Sequence, residues 1–343
     1  MPESHSEAQG PEIAAEALIG IRAVREIVME LRADTSAAFP RIIEKLRQEP
    51  VTRSRYGDTR ELLGVTVRSP DPRSRWLDRD DSFNLAFALQ ETFAYWRGLN
   101  PGHVQRYNTN MEEWIDEETG ELPGSAYGDR MRHTAGHDQI ERAVDQLRDN
   151  PESRRAVIQV HQASVEDYDG GDVSCTAHLH PFVRDGELHM HAVVRSQDMY
   201  WGYPYDVQNN QAIQELLAGR LGVGLGEYVH VMESCHFYTD MADDVAAAAD
   251  RCEGHSTPDM RLAEPELETA FQLLDAGLGV ARAGGVPREY TRKLRRLPGP
   301  WADWLRVMTA YEQRRFHDDE ATARDVASRV TTRFWRDKTF RRL

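Results

Sequence analysis

Apolar residues recur along this chain with two different periods, and the switch between them lays out its architecture. Over residues 11–31, Ile13, Leu18, Ile21, Val24, Ile27, Val28 and Leu31 fall near helical spacing and predict an amphipathic helix. A second helix is expected over 39–47, with Pro50 ending it. In 80–98, Asp81 or Ser82 serves as a cap and Gly98 as a stop. The apolar positions Phe83, Leu85, Phe87, Leu89, Phe93 and Trp96 between them predict a mostly buried helix. The β-branched run 156–160 reads as a strand. Segments 178–183 and 187–194 flank Arg184-Asp185-Gly186, a hairpin turn signal. Pro204 opens a helix running through Ile213, Leu216 and Leu217 to Gly222 or Gly224, and strand character returns over 227–231. Residues 241–262 read as connection, followed by helical patterns at 264–274, 301–314 and 320–333.

Composition narrows the class. At 343 residues the chain is long enough for one large α/β domain with additions, and 40% hydrophobic with 29% charged residues is an ordinary globular mixture. No stretch of about 18 apolar residues is present to span a membrane. The polar start, Met1 to Gly10, lacks the layout of a secretory signal, so a soluble cytoplasmic protein is expected. Three cysteines, Cys175, Cys235 and Cys252, are an odd and sparse set that suits free thiols and leaves one available for chemistry. The net charge of −15 argues against a general polyanion-binding surface, so anions must be bound locally. The Arg-rich tail after Pro287 reads as a solvated helical face.

Chemistry-bearing residues stand in a fixed order. Asn150-Pro151-Glu152-Ser153-Arg154-Arg155 leads into a strand, and Cys175 follows on the next. Arg195-Ser196-Gln197-Asp198-Met199-Tyr200-Trp201-Gly202-Tyr203-Pro204-Tyr205-Asp206 crosses a strand-to-helix junction, and a further strand ends in Cys235-His236-Phe237-Tyr238. Arginine forks suit a phosphate monoester. A thiolate suits addition to an electron-poor carbon, and a nearby cation such as Arg195 would favour that form. In order, spacing and residue type these motifs resemble those of the thymidylate synthase family, and the resemblance extends upstream to Glu91 and to Tyr127-Gly128, covering about 53–238.

The resemblance implies a thymidylate-synthase-like α/β (α+β) fold, with a mixed sheet forming a dimer interface and helices around it. It implies an N-terminal helical extension over 1–50, a catalytic core over 51–245 and a C-terminal helical region over 246–343. Cys175 is implied as nucleophile, with Glu91, Tyr127 and Asp206 as further catalytic groups. The nucleotide site would comprise Arg55 (or Arg53), Arg195, Ser196, Asp198, Asp206, His236 and Tyr238, with Arg154 and Arg155 reaching in from the partner of a homodimer. The co-substrate would be 5,10-methylenetetrahydrofolate, contacted by Glu91, Met111, Trp114, Asp198 and Gly202, and no metal is needed.

Asp206 departs from the family pattern. Thymidylate synthase carries asparagine there, matching the O4 and N3–H edge of uracil. Cytosine inverts that edge, offering an amino donor and a ring-nitrogen acceptor, and a carboxyl group answers both if a proton is shared. Aspartate at this site is similar to the family's cytidylate hydroxymethylases, the phage deoxycytidylate enzyme and the cytidylate enzyme of mildiomycin biosynthesis, and the whole chain looks most like the latter. The implied reaction is hydroxymethylation of CMP at C5 through a Cys175 adduct at C6, with Glu91 ordering the water that captures the exocyclic methylene. Hydroxymethylation of dCMP, thymidylate synthesis, and a non-catalytic nucleotide- or RNA-binding protein are the alternatives. Thr176 stands where the family usually has histidine, Met111 replaces one of two folate-contacting tryptophans, and Thr339-Phe340-Arg341-Arg342-Leu343 does not resemble the family's closing tail. His178, His180, His189 and His191 are expected to pack at the dimer sheet rather than to bind metal.

Overall fold

A mixed sheet carries the site. In the computed structural model, residues 29–79, 82–99, 102–108, 115, 122, 124–166, 171–286 and 297–343 are described. The strands are β1 (Met29–Arg32), β2 (Val51–Ser54), β3 (Gly57–Ser69), β4 (Trp76–Asp78), β5 (Ile158–Gln159), β6 (Thr176–Arg184), β7 (Glu187–Val194), β8 (Gln197–Asp198), β9 (Gly224–Tyr238) and β10 (Glu253–His255). The main sheet runs β1-β3-β9-β7-β6-β5, with β2 hairpinned onto β3 and β8 alongside β9; β4 and β10 form a separate pair. β9 is antiparallel to β3 and parallel to both β7 and β8.

The helices are α1 (Thr35–Leu46), α2 (Leu85–Arg97), α3 (Gly102–Gln105), α4 (Tyr127–Asp129, continuing as a π-turn through Thr134), α5 (Gln139–Asp149), α6 (Tyr203–Leu221), α7 (Ala242–Arg251), α8 (Glu266–Arg282), α9 (Gly299–Phe316), α10 (Glu320–Ser328) and α11 (Arg333–Arg341). α2 and α6 pack side by side in the largest apolar cluster, together with α8, α9 and α11. A second cluster joins α1 and α7 to β3 and β9.

α6 is buried along nearly its whole length although much of it is polar. Several of its buried amides and carboxylates are held by specific partners. The Gln214 amide donates to the carbonyls of Leu188 and Gly226, that of Gln211 to the Thr35 hydroxyl, and Glu215 receives Arg75 and the Met260 N–H. Such a helix cannot slide or rotate without stranding several groups, which makes it a rigid platform for Asp206 in its first turn.

Several expected elements change on folding. Residues 1–28 lie outside the described set, and 29–31, the end of the expected first helix, belong instead to strand β1, parallel to β3. The cap of α2 is Asn84, whose side chain accepts from the Phe87 N–H, rather than Asp81 or Ser82; Gly98 ends the helix at φ 65° as expected. The 156–160 strand keeps only two paired residues because the Val160 and His161 N–H groups both turn to the Ala177 carbonyl. β6 is bulged at the same place, two residues after Cys175. Within 241–262, Ala242–Arg251 is helical: alanine favours helix, and Val245 and Ala248 give it a buried side. The expected 320–333 helix breaks because Asp303 captures the Thr331 and Thr332 N–H and hydroxyl groups.

Candidate active site

Cys175 sits immediately before β6, partly buried, with its backbone tied down on two sides. Its N–H donates to the Tyr127 hydroxyl at 2.9 Å, and the Thr176 N–H donates to the same oxygen at 3.3 Å. Arg195 wraps the preceding turn, its Nε and Nη2 donating to the Ser174 and Val173 carbonyls, each at 2.9 Å. Glu166 anchors Ser174 and pairs with the buried Arg130. The thiol therefore projects from a segment whose neighbours are all committed.

Its electrostatics correct one expectation. Arg195 does favour the thiolate, but burial opposes it more strongly. The carboxylates of Asp206, Asp172 and Asp198 add to that opposition, so the thiol is pushed up to about 11. In the isolated chain Cys175 is a thiol at neutral pH.

Three further acids belong to the site. Glu91, in the middle of α2, accepts from the Asn209 amide of α6 at 3.0 Å and from the Tyr95 hydroxyl at 3.5 Å. Burial, reinforced by the charge of Asp206, raises it to about 8, so it carries its proton at neutrality. Asp206 accepts from the Gln197 amide at 2.8 Å; burial lifts it to about 6, with the Gln197 bond pulling the other way. Asp198 accepts from the Tyr200 and Trp201 N–H groups and is raised by burial. The pair Glu91 and Asp206 is thus split into a proton-bearing acid and a mostly ionised carboxylate, the separation that acid–base chemistry at one site requires.

Two glycines explain their motifs by close approach. A Cβ on Gly128 would lie 2.3 Å from the Ala94 carbonyl, so only glycine lets α4 seat Tyr127 against α2. A Cβ on Gly202 would lie 2.9 Å from Gln197 Nε2 and 3.4 Å from Asp206 Oδ2.

His236 is buried on β9 with its Nδ1 3.5 Å from the Ser234 hydroxyl, and Tyr238 is two residues further, the rings edge-to-face at 5.5 Å. β8 places Asp198 in register with His236. Arg55 is exposed in the β2–β3 turn, its guanidinium over the Tyr56 ring at 5.4 Å, and Tyr56 reaches the Gly171 carbonyl at 3.4 Å, which ties that turn to the stretch leading to Cys175. Ser196 is partly exposed between Arg195 and Gln197. The structure thus gathers Cys175, Tyr127, Glu91, Arg195, Asp198, Gly202 and Asp206, with His236 and Tyr238 alongside.

Arg154 and Arg155 are not gathered with them. Both are exposed on the loop before β5, lining an open depression of about 620 Å³ with Arg142 and Asp149, and among the described residues no contact joins them to Cys175. Met111 and Trp114 lie outside the described residues. Among the described residues no group of three or more His, Cys, Asp or Glu is arranged to hold a metal ion. His180 and His191 face each other in register on β6 and β7.

Sequence reasoning passed over Gln197, Asn209 and Tyr95, each hydrogen-bonded to a site carboxylate. Helical spacing holds a signal for Tyr95, four residues after Glu91, whereas Asn209 reaches Glu91 from another helix.

A mixed sheet thus brings a tethered cysteine and a split pair of carboxyl groups into one site, with an arginine and a His-x-Tyr strand beside them. The model of the thymidylate synthase family matches residues 80–277, more than half of the chain, and the chain belongs to that family. It is similar to the thymidylate synthase of Corynebacterium aurimucosum, 32% identical over 159 residues, a stretch covering 45% of this chain and 58% of that relative. Arg55 and the β2–β3 hairpin lie upstream of the family match.

Proposed function

We propose that the protein transfers a one-carbon unit from 5,10-methylenetetrahydrofolate to C5 of a cytosine nucleotide, converting CMP to 5-hydroxymethyl-CMP with water as the final nucleophile. The observation that carries this reading is the place of Asp206: its charge acts on Cys175, Glu91 and Tyr127 together, so a carboxylate stands among the groups that would face the ring. A carboxylate accepts from the cytosine amino group, whereas a uracil O4 would meet it lone pair to lone pair.

In this scheme Cys175 adds to C6, which makes C5 electron-rich. C5 attacks the methylene carbon of the folate co-substrate and loses its proton, and tetrahydrofolate departs to leave an exocyclic methylene that water captures as hydroxymethyl. Asp206 holds the amino edge and shares a proton with N3, and the protonated Glu91 gives and takes protons through a water at C5. Departure of the sulfur restores the ring. Arg195, Ser196 and Arg55 bind the phosphate, and His236 and Tyr238 the sugar. The family resemblance implies a homodimer in which Arg154 and Arg155 reach the phosphate site from the partner.

Incubation with methylenetetrahydrofolate and each of CMP, dCMP, UMP and dUMP, followed by mass analysis, tests the reading. Gain of CH2O on CMP is expected. The same gain on dCMP alone would move the substrate to the deoxynucleotide. A methyl gain on dUMP would make the protein a thymidylate synthase, and no product from any base would leave a binding protein.

A further inference from the structure

Behind Asp206 runs a buried hydrogen-bonded chain that the reaction scheme does not use. Gln197 Nε2 donates to Asp206 Oδ2 at 2.8 Å, and Gln197 Oε1 faces His230 Nε2 at 2.8 Å. His230 Nδ1 faces the Tyr228 hydroxyl at 2.7 Å. Gln197, His230 and Tyr228 are each 1% exposed or less, so no water competes for these bonds. We propose that Gln197 and His230 are positioning residues that fix Asp206 as a hydrogen-bond acceptor, and thereby select cytosine over uracil; the base preference rests on the function proposed above.

The physical case turns on what a neutral imidazole permits. It has one N–H donor and one acceptor nitrogen, so the chain has two self-consistent polarities. In the first, the Tyr228 O–H donates to Nδ1, the Nε2–H donates to the Gln197 carbonyl, and the Gln197 amino group donates to an ionised Asp206. In the second, the His230 proton sits on Nδ1 and the Gln197 amide is turned over. Its carbonyl then demands a proton from Asp206, so that state takes up exactly one proton at the carboxyl. The amide orientation found, with Gln197 Nε2 on Asp206, is that of the first polarity, and burial keeps His230 neutral, down at about 3.

Gln197 occupies one lone pair of Oδ2; Oδ1 and the remaining lone pair of Oδ2 are left for the edge of the base, and both accept. Among the described residues, the ionisable groups that face Asp206 are Glu91 and Tyr95 from α2, Tyr127 from α4, Cys175 ahead of β6, Asp198 from β8 and Tyr228 from β9. None is a cation, so the Gln197 donor is the principal support of the ionised state.

The test compares wild type with Gln197→Met and His230→Phe, two apolar replacements of similar bulk. In ligand-free protein the carboxyl carbon of Asp206 is titrated by NMR; separately, kcat/KM is measured for CMP and UMP across pH. Gln197→Met is expected to raise the Asp206 midpoint by about one pH unit, to move the acid limb of kcat/KM with it, and to cut the CMP-to-UMP ratio by roughly tenfold. His230→Phe, which frees the amide to turn, shifts both the same way by less. If a variant that melts like wild type keeps the wild-type midpoint and base ratio, the proposal is overturned; should Gln197→Met not fold, His230→Phe decides. If wild type shows no cytosine preference while the midpoint still moves in the variants, the proposed substrate is wrong and the positioning role stands.

Discussion

The hydroxyl of Tyr127 accepts the backbone N–H of Cys175 at 2.9 Å, and the Tyr127 ring lies 5.3 Å from that of Tyr95, which itself reaches Glu91. One tyrosine thus links the segment bearing the thiol to the helix bearing the buried acid. Tyr127→Phe leaves the N–H groups of Cys175 and Thr176 without that acceptor, a cost of about 1–3 kcal/mol. The expected outcome is a melting temperature lower by several degrees and a fall in kcat larger than any change in KM, read by calorimetry and steady-state kinetics.

Glu91 gives a pH signature in stability. Its carboxyl is raised from an ordinary 4.5 to about 8 in the folded state. Between those values the folded chain holds a proton that the unfolded chain has released, so this group's contribution to stability falls as pH rises through the window and is level above it. Glu91→Gln removes the dependence. Urea unfolding should show the variant gaining on wild type between pH 5 and pH 8, by on the order of a few kcal/mol at the upper end, while turnover is lost.

The thiol of Cys175, pushed up to about 11, should react slowly with iodoacetamide at pH 7. Its alkylation rate should climb about tenfold per pH unit from 7 to 10 with no plateau, followed by peptide mass mapping of residue 175. A plateau below pH 8 would mean that cationic charge from elsewhere already holds a thiolate.

Gly128→Ala forces a methyl group to within 2.3 Å of the Ala94 carbonyl. A loss of about 2–3 kcal/mol in stability is expected, with kcat reduced because Tyr127 is carried away from Cys175. Gly136→Ala makes a useful contrast: its φ of 74° strains a side chain, yet nothing lies within 4 Å, so stability falls without the kinetic defect.

Where local chemistry decides an element, the sequence announces it. Asp185 and Gly186 adopt positive φ in the β6–β7 turn, Gly98 and Gly222 stop their helices in the left-handed region, and Pro204 lies in the first turn of α6. Cys175, Tyr127, Glu91, Arg195, Asp198, Gly202 and Asp206 come together in the fold, while Arg154 and Arg155 stand apart from them. What remained hidden was decided by distant partners. β1 depends on β3, thirty-odd residues away, and the break before α11 depends on Asp303. The direction of the Cys175 shift depends first on burial, which residue spacing does not show, with Asp206, Asp172 and Asp198 adding to it. Gln197 sat inside a quoted motif, but its role needed His230 from another strand.

The central claim is a transient bond between Cys175 Sγ and C6 of the pyrimidine. A fluorine at C5 cannot leave as a proton, so 5-fluoro-CMP with methylenetetrahydrofolate should arrest the reaction with nucleotide and folate attached to the protein. Intact mass followed by peptide mapping should place the adduct on residue 175, with Cys175→Ser giving none and lowering kcat on CMP by roughly three orders of magnitude or more at an unchanged melting temperature. An adduct on Cys235 or Cys252, or full turnover by Cys175→Ser, would contradict the account.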